Sequence, residues 1–322
     1  MRALVNPGYD PARVPSPAPD APRFHAGLPG YAPTPVRELR PGVWVKDESN
    51  RLGLPAFKVL GASWATERAL REHDVHTLVA ASAGNHGRAV AHVAALRGLR
   101  CRVFLPARSL AARREAIAAE GAEVVVVDGT YEDAVARAAA EGREPGVFEL
   151  ADVGSSPSAA WVIDGYATLF AELEGRWDVI VVPVGVGSLA AAAARYGASA
   201  GATVIGAEPV VAACLTASLA AGEPVAVQTP GTAMAGLDCA EVSPAAWPSL
   251  RAGIRGTVTV TDDEARAAMR ELAAAGLEIG ESGAAPLAAW QALHHDLESA
   301  GLRAMLRPGA RVLLLATEGR TA

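Results

Sequence analysis

The chain has 322 residues, 51% of them hydrophobic, with 32 glycines, which describes a globular protein with ample core and excludes a disordered one. A net charge of −6 and the lack of any basic run argue against nucleic-acid binding, while small anions remain candidate ligands because backbone amides bind them without net positive charge. Cys101, Cys214 and Cys239 are odd in number, widely spaced and without a CxxC pair, which argues against a disulfide framework or a zinc site. The leader MRALVNPGYDPARVPSPAP has no apolar core of signal-peptide length, and nine prolines between Pro7 and Pro35 predict an extended segment crossing a surface. Short apolar runs then alternate with alanine-rich stretches. Strands are predicted at 43–46, 77–81, 102–105, 123–127, 179–184, 203–207 and 312–316, and helices at 63–73, 85–97, 109–120, 131–141 and 188–196. The most apolar stretch, 179–194, is interrupted by Pro183, Gly185 and Gly187 and is no membrane span, so a cytoplasmic protein is expected.

Strands alternating with helices predict parallel sheets covered on both faces. One set of βα units spans about 76–150 and a second begins near 178. The expected architecture is therefore α/β, with two doubly wound domains and a ligand in the cleft between them.

Three features carry chemistry. The first is Lys58, in the apolar run AFKVLG (56–61). Of 29 basic side chains only Lys46 and Lys58 are lysines, and an amine, unlike a guanidinium, can lose its proton and attack a carbonyl. The alternative is a lysine whose stem covers apolar surface. Lys46, one strand earlier, is expected to be exchangeable for arginine. The second feature is Gly185-Val186-Gly187-Ser188-Leu189, which follows an apolar strand and opens a helix, as a phosphate-holding loop would. Read to Ala190 it also fits a dinucleotide fingerprint, with Glu208 at a plausible distance for a ribose contact, so an NAD-binding oxidoreductase is a rival. The third is ASAGNHG (81–87), where backbone amides and the Ser82, Asn85 and His86 side chains can receive a carboxylate. Helix capping by Ser82 or Asn85 and a structural His86 are the plainer readings there.

An amine, a phosphate loop and a carboxylate loop together suit pyridoxal 5′-phosphate (PLP). The segments WVKDESNRLGLPAFKVLGASWA (44–65), GNHGRAVA (84–91), DGYATLFAEL (164–173), TAMAGLDCAEVSPAAWP (232–248), GESGAAPLA (280–288) and ATEG (316–319) resemble, in the same order, those of the fold-type II PLP enzymes, within them the diaminopropionate ammonia-lyases. The resemblance covers nearly everything from Gly42 onward. It implies a larger cofactor-binding domain over 1–63 and 167–322 and a smaller one over 64–166, and assembly as a homodimer. It makes Lys58 the Schiff-base lysine and Asn85 the partner of the ring hydroxyl oxygen. Gly185, Val186, Gly187, Ser188 and Leu189 would hold the phosphate, and Thr317 would face the pyridine nitrogen. Ser82, Ala83, Gly84, Asn85 and His86 would receive the substrate carboxylate. No role follows for Asp238, Cys239 or Glu281, and Cys239 reads as a small packed residue.

The implied reaction is α,β-elimination on a small L-amino acid of the 2,3-diaminopropionate, serine or threonine class, giving a 2-oxo acid and ammonia. A β-replacement synthase or a racemase would use the same residues. One departure bears on substrate. The diaminopropionate lyases carry an acidic residue just ahead of Gly-Asn-His-Gly, where this chain has Ala83. The expectation is therefore L-isomers only, and no more than a modest preference for diaminopropionate over hydroxy amino acids.

Overall fold

A computed structural model describes residues 2–320. Contacts divide the chain into two compact units, one ending at Phe57 and resuming at Tyr166, the other running from Lys58 to Gly165. The first unit opens with strand β1 (Ala3–Val5) and helix α1 (Asp20–Ala26), so the leader is not simply extended. Pro22 is no obstacle to α1, because it falls in the first turn, where backbone N–H groups have no helical acceptor to lose. An antiparallel pair follows, β2 (Val36–Arg40) and β3 (Val43–Asp47).

The second unit starts with helix α2 (Lys58–Glu72), five residues earlier than expected. Val59, Leu60, Gly61 and Ala62 are buried, and this packing outweighs the weak helix propensity of Val59 and Gly61. The chain continues through β4 (Thr77–Ala81), α3 (Asn85–Leu96), β5 (Arg100–Pro106), α4 (Ala111–Ala119), β6 (Glu123–Val127), α5 (Tyr131–Glu141), β7 (Val147–Glu149) and α6 (Pro157–Gly165), the last packed on α2. Its four strands are all parallel, in the order β6-β5-β4-β7, around a small core of Val79, Phe104, Ala134 and Ala138.

The first unit then resumes with α7 (Ala167–Ala171), β8 (Val179–Pro183), α8 (Ser188–Ala200), β9 (Thr203–Pro209), α9 (Cys214–Ala221), α10 (Trp247–Gly253), β10 (Ile254–Val260), α11 (Asp262–Ala274), α12 (Glu281–His295), α13 (Ala300–Arg303) and β11 (Val312–Ala316). Its sheet has the order β1-β10-β9-β8-β11-β3-β2, with β1 and β2 antiparallel at the edges and five parallel strands inside. Val45, Val181, Ile205, Val258 and Leu314 pack with Ala284 and Leu287 of α12 in its core. No helix among the described residues is long and apolar enough to cross a membrane.

Each sheet reverses its winding once. From β8 the chain moves outward to β9 and β10, then returns to place β11 on the other side of β8. From β4 it moves to β5 and β6, then places β7 on the other side of β4. Crevices at the carboxyl ends of strands open at such reversals, and ligands of doubly wound sheets bind there.

Lys46 is not the exchangeable lysine expected from sequence. It lies in β3 with no exposed surface, and its ammonium donates to Glu172 at 2.6 Å and to Thr34 Oγ1 at 2.7 Å. Arg51, also buried, donates to Glu48 at 2.6 and 2.8 Å and to Glu172 at 2.6 and 2.8 Å, while Thr34 donates to Glu48. Burial works to raise the Glu172 pKa, but Arg51 and then Lys46 outweigh it and bring the carboxyl down to about 2. Every charge in this cluster has an opposite partner, the condition under which buried charges are tolerated.

Candidate active site

Lys58 opens α2, and its Nζ lies 2.7 Å from Asp152 Oδ2, with the two side chains 21% and 14% exposed. Asp152 stands just past the carboxyl end of β7, and the asparagine loop follows β4, so both belong to the winding reversal of this sheet. Sequence reasoning missed Asp152. Nothing marks it locally, and its meaning depends on β7 lying beside β4. Burial alone would raise its pKa; the His86 imidazole and the Lys58 ammonium reverse this and hold the carboxyl well below the usual range. Burial also keeps the His86 imidazole below its ordinary pKa, so near neutral pH the group that holds Asp152 ionised is Lys58.

His86 itself is buried. Its Nε2 donates to the Leu150 carbonyl at 2.9 Å, a tautomer assigned from that contact, and its Nδ1 lies 3.7 Å from Asp152 Oδ2. The imidazole thus ties α3 to the end of β7, and what His86 offers a ligand is its backbone. Gly84 precedes α3 without any side-chain cap on the helix, and Asn85 is its first residue. Ser82 Oγ accepts from the Gly84 N–H at 3.3 Å, which shapes the loop rather than capping the helix. Ser82, Ala83 and Asn85 are half-buried and Gly84 is exposed, so the loop presents an amide-lined helix end to solvent.

In the first unit, Gly185 to Leu189 lie where β8 gives way to α8. Gly187 has φ +93° and no side-chain cap serves α8, so the amides of the first helical turn are left for an anion. Gly185 has no room for a side chain: a Cβ there would stand 2.8 Å from the Gly236 carbonyl oxygen and 3.0 Å from Cys239 Sγ. Val186 accepts a backbone bond from Ser243 at 2.8 Å, while Ser188 and Leu189 are buried at the start of α8. Cys239 packs against this loop, as expected of a small packed residue. Gly236 N–H donates to Ser282 Oγ at 3.1 Å, which brings the start of α12 to the same rim. Thr317 follows β11, is buried, and accepts a bond from the Phe57 N–H at 3.3 Å. The phosphate loop and Thr317 therefore share the winding reversal between β8 and β11. Glu281 opens α12 and Asp238 is exposed, and neither acquires a role from its contacts.

Glu208 removes the dinucleotide rival. It has no exposed surface, and its carboxylate accepts from Leu215 N at 2.7 Å, Thr216 N at 2.8 Å and Thr216 Oγ1 at 2.6 Å. A residue spent on capping α9 is not available to a ribose.

The second unit offers an amine with a carboxylate neighbour, and the first a glycine loop with an uncapped helix start and a buried threonine at a strand end, residue types that PLP requires. Comparison with known proteins agrees. The sequence profile of the family described as "Pyridoxal-phosphate dependent enzyme" matches residues 28–318. The chain is 32% identical over 347 residues to the diaminopropionate ammonia-lyase of Escherichia coli K12, covering 93% of this chain and 87% of that enzyme. It is 30% identical over 235 residues to the biosynthetic L-threonine dehydratase of the same organism, covering 71% of this chain and 45% of that one. A crystal structure of the E. coli diaminopropionate ammonia-lyase, solved with an aminoacrylate-PLP azomethine intermediate, superposes with a TM-score of 0.87 at 29% identity over 98% of this chain and 93% of that one. The chain belongs to the pyridoxal-phosphate-dependent enzymes, and PLP is its cofactor.

Proposed function

We propose that this enzyme is an ammonia-lyase that eliminates the β-substituent of a small L-amino acid, with L-2,3-diaminopropionate as the preferred substrate, to give pyruvate and ammonia. The observation that carries the substrate choice is the Asp152 carboxylate 2.7 Å from the Lys58 amine. Gly185 to Leu189 take the cofactor phosphate, Asn85 the ring hydroxyl oxygen and Thr317 the ring nitrogen. The substrate carboxylate goes to the amides of Ser82 to His86. Bound PLP supplies the electron-withdrawing ring that makes a Cα–H bond acidic.

Lys58 Nζ takes the Cα proton, for which it must be uncharged. Asp152 pairs with this amine when it carries its proton. A substrate β-ammonium changes that balance. Once it docks on Asp152, two cations compete for one carboxylate, and Lys58 loses its proton more readily. The same carboxylate keeps the β-nitrogen protonated, the state in which it leaves as ammonia. A β-hydroxyl brings no charge and needs a proton to leave, and Asp152 is held ionised and does not supply one. Ala83 removes a carboxylate from the asparagine loop, and Asp152 brings one in from β7. The preference for diaminopropionate over serine is accordingly strong rather than modest.

The test is kcat/KM for L-diaminopropionate and L-serine in wild type and Asp152→Asn, with PLP absorbance as the control for an intact cofactor site. The expected result is a loss of about 10²-fold or more for diaminopropionate and less than tenfold for serine. Equal losses for the two substrates contradict the assignment.

A further inference from the structure

The first unit contains a second concavity that the reaction does not use. It has a volume of about 640 Å³ and lies at the amino ends of β3 and β11, opposite the strand ends that lead to Thr317. Its walls carry the charged Arg40, Arg303 and Arg307 and the imidazoles of His294 and His295, and no carboxylate lines it. In a chain of net charge −6, such a one-sided lining is unusual. Ordinary structural roles account for part of it. Arg40 pairs with Glu271 at 3.2 Å, and Gln291 donates to the same carboxylate at 2.6 Å. Arg303 donates to the carbonyls of Leu293 at 3.1 Å and His294 at 2.8 Å, and His294 Nδ1 contacts the Trp290 carbonyl at 2.9 Å, all at the carboxyl end of α12, where cations are favoured. These carbonyls are neutral, so the charge on Arg303 is not cancelled. The Arg307 guanidinium and the His295 ring have no ion pair or side-chain hydrogen bond among the described residues. Nearby Asp296 is engaged by Arg2 at 3.3 Å. Two guanidiniums without a carboxylate partner thus face one cavity, beside two imidazoles and a third, shared guanidinium.

We infer that this cavity is a binding site for a small polyphosphate group. Guanidinium forks match phosphate oxygens in pairs, and the spread of several cations around one cavity suits a chain of phosphates better than a single anion. The volume falls in the ordinary range for small-molecule sites. Inorganic polyphosphate and the tail of a nucleoside triphosphate share this chemistry.

The experiment is calorimetric titration of the PLP-saturated enzyme, so that the glycine loop is already filled, with inorganic tripolyphosphate and separately with ATP. Expected is saturable binding of one ligand per chain that weakens as salt rises. R307E, at an exposed position, should weaken it about tenfold or more, while R266E, on α11, leaves it unchanged. Equal affinities assign the site to the phosphate chain alone, and tighter ATP binding assigns it to a nucleotide. No saturable binding of either ligand overturns the inference, as does a R307E affinity equal to wild type.

Discussion

Lys58 and Asp152 are 94 residues apart in sequence and 2.7 Å apart in space, and the proposed substrate preference rests on that contact. Lys58→Ala should abolish turnover. Lys58→Arg keeps a cation beside Asp152 but has no proton to lose near neutral pH, so it should fall by about 10³-fold or more in steady-state elimination. Substantial elimination by Lys58→Arg would remove the lysine from its role. Chirality gives a second check on the same residues: with Ala83 in the asparagine loop and Asp152 engaged by the β-ammonium, no carboxylate is left as a second base, and D-diaminopropionate should turn over at about 1% of the L-isomer rate or less. Efficient use of the D-isomer would show that Asp152 or another group acts as the second base. Lys46 gives the contrast. In its closed cluster an arginine is too large, and Lys46→Arg should cost about 1–3 kcal/mol of stability, read by denaturant unfolding, with kcat per folded molecule unchanged. Lys58 stood out in the sequence because an amine stands in an apolar run of a chain that also carries two glycine loops. Asp152 and the Lys46 cluster were not, because their partners are 94 and 126 residues away and no local pattern announces such contacts.

At the scale of elements, the strand–loop–helix units were the readable part. β4, β6 and β11 fall where their apolar runs predict, and α5 likewise, with Thr130 and Asp133 forming the capping box ahead of it. Helix α1 was missed and the start of α2 misread. Proline content suggested an extended leader, and burial extended α2 back to Lys58 despite the weak helix propensity of Val59 and Gly61. The phosphate loop supplies the test here. Gly187 combines a positive φ with a Leu250 Cδ1 that would lie 2.5 Å from any Cβ, so every substitution strains it. Gly187→Ala adds strain alone, while Gly187→Asp adds a carboxylate where phosphate belongs. Spectroscopic titration of PLP should show the Asp variant weakened at least about tenfold beyond the Ala variant. Equal affinities would mean that the loop does not hold the phosphate.

The whole molecule carries one titration that is easy to isolate. Burial pushes the Glu208 carboxyl up to about 7, against the three donors that favour its charged form. A folded pKa above the unfolded value of 4.5 means that the native state holds this proton more tightly. Its stabilising contribution is complete below about pH 4.5 and is lost as pH rises through about 7, with an upper bound of about 3 kcal/mol. Thermal melting should therefore fall between pH 5 and 8, and Glu208→Gln should flatten that slope; an unchanged slope would assign the pH dependence to other groups. The central claim is tested most directly by incubating the purified PLP-loaded enzyme with L-2,3-diaminopropionate and counting products. The account predicts two ammonia for each pyruvate, with one water consumed, and no such products from Lys58→Ala. Diaminopropionate recovered intact, or an amino-acid replacement product formed with an added thiol in place of pyruvate, would contradict it.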